Sequence, residues 1–289
     1  MRWLITGANG QLGRSLEISL NSNRIEYVAL NKDDLDVSDE NKTMNILKDI
    51  NPHIVLNAAA YTNVEKAEVE PKAAFGINQT GVSNVIKACE SIGAKLVHFS
   101  TDYVFSGIRT SPWQVDDLTN PMSSYGKSKL AGELEIMNNY SENSLIIRTA
   151  WLYSQFGKNF YKTILNKAIN TKENLKVVSD QTGQPTNALD LAEIAIQAIR
   201  NEVTPGIYHA TNSGSTSWFE FSRLIFRLAG EDPLRVDPVI TSEFPSIVDR
   251  PKYSVLDNQK WNDYGIIPLK SWEESATKAF SSIYQSMNK

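Results

Sequence analysis

The sequence predicts a doubly wound α/β fold, a parallel sheet covered by helices on both faces, joined to a smaller α/β lobe. Three observations support this. Short apolar runs rich in β-branched residues recur through the first half of the 289-residue chain. Helix-like stretches separate them, and strands alternating with helices imply parallel pairing through right-handed crossovers. After about Arg148 the alternation loosens into segments joined by Pro-, Gly- and Ser-bearing loops.

In order, the strand-like runs are "RWLIT", "IEYVAL", "HIVLNAAA", "KLVHFS" and "SLIIRT". Between them lie the helix-like "QLGRSLEISLNS", "ENKTMNILKDI", "PKAAFGINQTGVSNVIKACESIG" and "SSYGKSKLAGELEIMNN". The second half offers helix-like "NFYKTILNKAIN", strand-like "LKVVS", helix-like "ALDLAEIAIQAIR", strand-like "GIYHAT" and helix-like "WFEFSRLIFRLAG". The expected division is 1–150 for the first domain and 151–289 mainly for the second lobe, with segments free to return to the first. No repeat or flexible linker stands out, so a shared interface with a cleft is expected.

Composition narrows the function classes. A formal net charge of −4 without blocks of like charge argues against nucleic acid or an anionic membrane as the main partner and favours a small ligand. Cys89 is the only cysteine, so no internal disulfide is expected, and a reducing cytoplasm fits. The chain opens directly into a strand without a long apolar segment, which indicates neither secretion nor anchoring. His53, His98 and His209 are scattered, two of them in strand-like runs, so no metal site is expected.

The first strand runs into "TGANGQLG", with Gly7, Gly10 and Gly13 three apart and a helix following. Glycines there permit a tight turn and let backbone N–H groups approach a pyrophosphate, the Rossmann-type arrangement for NAD(P). Asn9, Gln11 and Leu12 fall within the same loop and helix start. At the end of the second strand, Asn31 and Lys32 precede Asp33, which leans toward NADPH, with NADH as the alternative; Lys32 as a solvated turn residue reads equally well. Asp36 and Val37 are placed near the adenine. Ala58, Ala59, Ala60 and Tyr61 end the third strand, where small residues leave room for a cofactor or pack against a helix.

"FSTDYVFSG" puts Ser100, Thr101, Asp102 and Tyr103 at the carboxyl end of the fourth strand. Tyr125 and Lys129 follow one helical turn apart, on one face. A lysine charge at roughly 5 Å in an effective dielectric of about 20 would stabilise a phenolate by on the order of 3 kcal/mol, or about two pKa units. The expectation is a tyrosine made acidic enough to give up its proton.

Glycine loop, strand-end hydroxyl and Tyr-x-x-x-Lys in this order resemble the extended short-chain dehydrogenase/reductase superfamily. "STDYVFSG", "NPMSSYGKSKLAGE", "RTAWLY", "SDQTGQPT" and "DRPKYSVLD" together resemble, more narrowly, the dTDP-4-dehydrorhamnose reductases, over nearly the whole chain. The resemblance implies a catalytic triad of Thr101, Tyr125 and Lys129, with the latter two also touching the nicotinamide ribose. It implies that Thr101, Asp102, Tyr103 and Trp151 meet the sugar nucleotide and that Arg250 meets its diphosphate, although a tryptophan after a strand also reads as lobe packing. The implied reaction is NADPH-dependent reduction of the C4 keto group of dTDP-4-dehydro-β-L-rhamnose. Two departures stand out: Ser106 where the family commonly has an acidic residue, and Asp249 where it commonly has a second arginine. Two readings stay open beside it, an NAD-recycling sugar-nucleotide epimerase or dehydratase and a non-catalytic NADP-binding subunit of the methionine adenosyltransferase type. Oligomeric state is unwritten in the sequence; a homodimer is one expectation.

Overall fold

The computed structural model describes residues 1–244, 246–266 and 269–287. Five strands fall where the apolar runs predict them: β1 (Trp3–Thr6), β2 (Tyr27–Leu30), β3 (Ile54–Asn57), β4 (Lys95–Thr101) and β5 (Ser144–Thr149). A sixth, Gly206–His209, pairs in parallel with β5 and forms one edge, so that the sheet runs sixth strand, β5, β4, β3, β1, β2. Every pairing in it is parallel.

Alternation along each strand divides the core between the two faces of the sheet. Trp3 and Ile5 of β1 join Leu12, Leu16 and Leu20 of the helix Gln11–Ser22 and Leu191, Ala195 and Ile199 of the helix Ala188–Arg200. Leu4, between them, points the other way, to Leu47, Val82, Val85 and Ile136. A third cluster, built from Tyr161, Leu165, Phe221, Phe226, Trp272 and Ala276, holds the helices Phe160–Asn170, Trp218–Leu228 and Trp272–Met287 together. Beside it, Leu175–Val178 and Val236–Val239 pair in parallel as a separate two-stranded ribbon.

The chain leaves β1 outward to β2 and then crosses back to β3, so the order reverses between β1 and β3. Ligands in such sheets bind outside the carboxyl ends of the strands at that reversal. The backbone there is fitted for close approach. Gly7 has φ of +67°, and a Cβ on it would stand 2.7 Å from the Ala59 backbone across the reversal. A Cβ on Gly13 would stand 2.4 Å from the Gly7 carbonyl oxygen. Among the described residues no helix is long and apolar enough to cross a membrane.

Candidate active site

The helix Gln11–Ser22 starts at Gly10 with no side-chain cap, so its first N–H groups point unpaired at the reversal. That is a fit for a pyrophosphate, and Gly7, Asn9, Gly10 and Gly13 surround the position. Leu12 gives its side chain to the core, leaving only its backbone for a ligand. Gln11 is engaged elsewhere: its Oε1 accepts from Asn159 Nδ2 at 2.9 Å and from Ser154 Oγ at 3.2 Å, tying the loop to residues after β5.

At the end of β2, Asn31 Oδ1 accepts from the Asp33 N–H at 2.7 Å and so shapes the turn. Lys32 is exposed beside it. Asp36 accepts from the Ser38 hydroxyl at 2.6 Å, which, with Lys32 and Lys42 nearby, holds its carboxyl below the usual range. Val37 is buried, and its carbonyl accepts from Asn84 at 2.9 Å.

Past β3, Ala58, Ala59, Ala60 and Tyr61 are all partly exposed along the sheet edge. Their course is set by a residue that the sequence reading passed over. Asn78 Oδ1 accepts from the Tyr61 N–H at 2.9 Å, while its Nδ2 donates to the Tyr61 carbonyl at 3.0 Å and to Ser128 Oγ at 2.9 Å. Asn78 lies in a π-helical turn, Gly76–Thr80, inside what the sequence reads as one uninterrupted helix. Such turns collect at functional sites because the extra residue re-aims side chains.

Tyr125 and Lys129 sit near the start of the helix Ser124–Asn139. Ser123 caps it, and Glu68 accepts from the Ser124 N–H at 2.7 Å and from its hydroxyl at 2.8 Å. A carboxylate at a helix N-terminus is stabilising. Lys129 is 2% exposed. Its Nζ donates to the Phe99 carbonyl at 2.6 Å and stands 3.3 Å from His98 Nε2. Burial pulls its pKa down to about 8, with Glu133 one turn on acting against the shift.

This arrangement differs from the expected acidified phenol. Burial pushes the Tyr125 pKa up, opposed by the nearby Thr101 hydroxyl and reinforced by Asp102 and Tyr103. The helical spacing puts both residues on one face, yet the lysine turns toward β4 and loses part of its hold on charge there. Burial thus favours the neutral phenol at Tyr125.

Thr101 ends β4. Its oxygen accepts from the Tyr103 N–H at 3.2 Å, and its hydroxyl donates to Asp102 Oδ1 at 2.9 Å. Asp102 is 3% exposed; burial raises its pKa to about 6, with the Thr101 hydrogen bond and the nearby Ser254 hydroxyl acting against the shift. A carboxyl whose folded pKa is raised contributes stability that is full below its unfolded value and is lost as pH rises through the folded one. Stability is thus expected to fall by on the order of 2–3 kcal/mol between about pH 4 and pH 6.5 on account of Asp102. Denaturant melts across that range should show the slope in the native chain, and Asp102→Asn should flatten it.

Tyr103 packs edge-on against Tyr125, ring centroids 5.6 Å apart. Arg250 donates to the Tyr103 hydroxyl at 3.4 Å and pairs with Glu65 at 3.1 Å. Two late motifs bring it there: the Thr182 N–H donates to the Lys252 carbonyl and the Ser254 N–H to the Thr182 carbonyl, both at 2.8 Å. Gln184 then closes on both backbone groups of Leu256. Trp151 is apart from this group. It takes the left-handed conformation, φ of +46°, which turns its ring onto Trp218 in a parallel stack, centroids 3.4 Å apart. Trp218 is a second residue that the sequence reading did not single out; as the first residue of an amphipathic helix it looks like core.

A family model described as the RmlD substrate binding domain matches residues 1–285. The chain is 38% identical over 286 residues to a dTDP-4-dehydrorhamnose reductase of Streptomyces griseus, covering 98% of this chain and 94% of the relative. It is 36% identical over 279 residues to a dTDP-4-keto-6-deoxy-D-glucose reductase of Streptomyces niveus, covering 96% of each. Among solved structures, that of dTDP-4-dehydrorhamnose reductase from Bacillus anthracis in complex with NADP superimposes with a TM-score of 0.93 at 39% identity, covering 97% of this chain and 98% of that one.

Proposed function

The chain belongs to the dTDP-4-dehydrorhamnose reductase family, and on that premise we propose how its residues divide the work of an NAD(P)H-dependent oxidoreductase. The reaction is reduction of the C4 keto group of dTDP-4-dehydro-β-L-rhamnose to dTDP-β-L-rhamnose, the last step of dTDP-L-rhamnose synthesis. The observation that supports this reading most is the Tyr125 phenol packed edge-on to Tyr103 with the Thr101 hydroxyl close by at the carboxyl end of β4.

NADPH, bound with its pyrophosphate at the uncapped helix start, supplies the hydride. Gly7, Asn9, Gly10, Gln11, Leu12 and Gly13 form its cradle, the first two glycines and Gly13 by close backbone approach. Asn31, Lys32, Asp36 and Val37 flank the adenosine end, and Ala58, Ala59, Ala60 and Tyr61 line the crossing. Negative charge develops on the C4 oxygen of the sugar, and Tyr125 transfers its phenolic proton to it. The neutral state that burial enforces keeps that proton in place until the charge appears. Thr101 gives a second hydrogen bond to the same oxygen when its hydroxyl turns from Asp102, and protonation of Asp102 eases that turn.

Tyr103, Asp102 and Trp151 meet the sugar nucleotide. Arg250 meets the diphosphate, exchanging Glu65 for it. The sheet with helices Gln11–Ser22 and Ala188–Arg200 holds the cofactor, and the lobe around Phe221 and Trp272 holds the substrate. A cytoplasmic location belongs to the proposal, supported by a single cysteine, Cys89, that is buried and unpaired; so does a homodimer.

Because relatives of similar identity carry names for two different 4-keto sugars, the test is a comparison. NADPH oxidation by the purified protein is measured with dTDP-4-dehydro-β-L-rhamnose and with dTDP-4-keto-6-deoxy-D-glucose. A higher kcat/KM on the first is expected; preference for the second reassigns the substrate, and inactivity on both rejects the reductase reading.

A further inference from the structure

One buried chain of polar groups lies outside the roles assigned above. Thr6, Asn57 and His98 occupy directly opposed positions on three neighbouring strands, β1, β3 and β4. They are 0%, 1% and 0% exposed, and the row ends at Lys129. Thr6 Oγ1 stands 2.6 Å from Asn57 Oδ1, Asn57 Nδ2 stands 3.1 Å from His98 Nδ1, and His98 Nε2 stands 3.3 Å from Lys129 Nζ.

The direction of these bonds follows from their first member. The Thr6 oxygen already accepts from the Ala59 N–H at 3.3 Å, and the one acceptor recorded for its hydrogen among the described residues is Asn57 Oδ1. Reversing the row would leave a fully buried hydroxyl hydrogen without an acceptor, which is costly. Thr6 therefore donates to Asn57, Asn57 donates to His98 Nδ1, and a neutral His98 must carry its hydrogen on Nε2. Burial keeps His98 neutral. Its Nε2–H then faces Lys129 Nζ, which can accept only as an amine, since an ammonium has no lone pair. The carbonyl of Phe99 takes one of the amine hydrogens.

We propose that Thr6, Asn57 and His98 form a one-way hydrogen-bond chain that positions Lys129 and favours its uncharged amine, setting the pH at which Lys129 changes charge. His98 is a positioning residue, acting through Lys129. The other charged groups around Lys129 are Glu133 on its own helix, which favours the ammonium, and Arg148 of β5, which is bound to that carboxylate. Tyr125, one turn back, stays neutral.

The tautomer can be read without any substrate, so its failure is separable from failure of the reductase reading on which the catalytic consequence rests. In protein labelled with nitrogen-15 histidine, only His53, His98 and His209 contribute ring signals. The His98 pair is assigned by its loss in His98→Gln or, should that variant not fold, by sequential backbone assignment. The expected result at neutral pH is a protonated Nε2 and a bare Nδ1. The near-isosteric Thr6→Val removes the head of the chain, and the alkaline limb of its kcat/KM profile is expected to move up by about one pH unit. A His98 protonated on Nδ1 overturns the chain's direction. A limb that does not move in Thr6→Val overturns its control of Lys129.

Discussion

Tyr125→Phe is expected to lower kcat by about 10³-fold, within the range for loss of a positioned general acid, while leaving NADPH affinity nearly unchanged. The phenol is partly buried, packed edge-on against Tyr103 with Thr101 beside it, so deleting one oxygen removes the proton donor without opening the packing. Burial holds that proton tightly, which makes substitution by water a poor replacement. Single-turnover measurement of NADPH oxidation separates the outcomes. A slow chemical step with normal cofactor binding supports the assignment; an unimpaired chemical step would move the acid role to another group, with Asp102 the nearest carboxyl.

The largest expected effect on stability lies beneath the same helix. Arg148 of β5 holds Glu133 with two parallel bonds, Nε to Oε1 at 2.9 Å and Nη2 to Oε2 at 2.7 Å, and both side chains are almost wholly buried. The guanidinium also lies over the Phe105 ring and donates to the Val115 carbonyl. Removing one partner strands the other charge in the core. Arg148→Met is expected to destabilise the fold by about 3–5 kcal/mol, while the double variant Arg148→Met with Glu133→Gln recovers much of that loss. Urea unfolding of the two variants and the native chain checks both statements. Equal losses in single and double variants would show that Arg148 matters through packing on Phe105 rather than through its charge.

Local pattern made most of the sheet legible. β1 to β5 are short, apolar and bounded by helix-forming stretches, so each could be placed from its own residues. Membership of the sixth strand could not, because "GIYHAT" carries no mark of which sheet it joins; that depends on β5 offering a free edge. The π-helical turn at Gly76–Thr80 was hidden for a related reason. "GINQT" lies between two helix-like stretches with nothing to mark an extra residue, and the structure shows both polar groups of Asn78 on the Tyr61 backbone there.

At the site, spacing revealed which residues share a face and nothing of where their charges end. Tyr125 and Lys129 lie one turn apart as expected, but the lysine reaches the Phe99 carbonyl and His98, contacts made across 30 residues of sequence. Glu68 and Arg250 gained partners 56 and 147 residues away, Ser124 and Tyr103. Such pairings rest on tertiary approach and leave no periodic signal. Motif resemblance supplied what periodicity could not, as with "SDQTGQPT" and "DRPKYSVLD", whose backbones pair directly.

The central claim is hydride delivery to C4 of the sugar with Tyr125 completing the alcohol. Its most direct test is to run the reaction with NADPH deuterated at the transferring position and to examine the sugar nucleotide by NMR. The account predicts dTDP-β-L-rhamnose with one deuterium on C4, formed in equal amount to oxidised cofactor. Label elsewhere, an epimerised sugar with no net cofactor oxidation, or a cofactor-bound protein that leaves the sugar unchanged would contradict it.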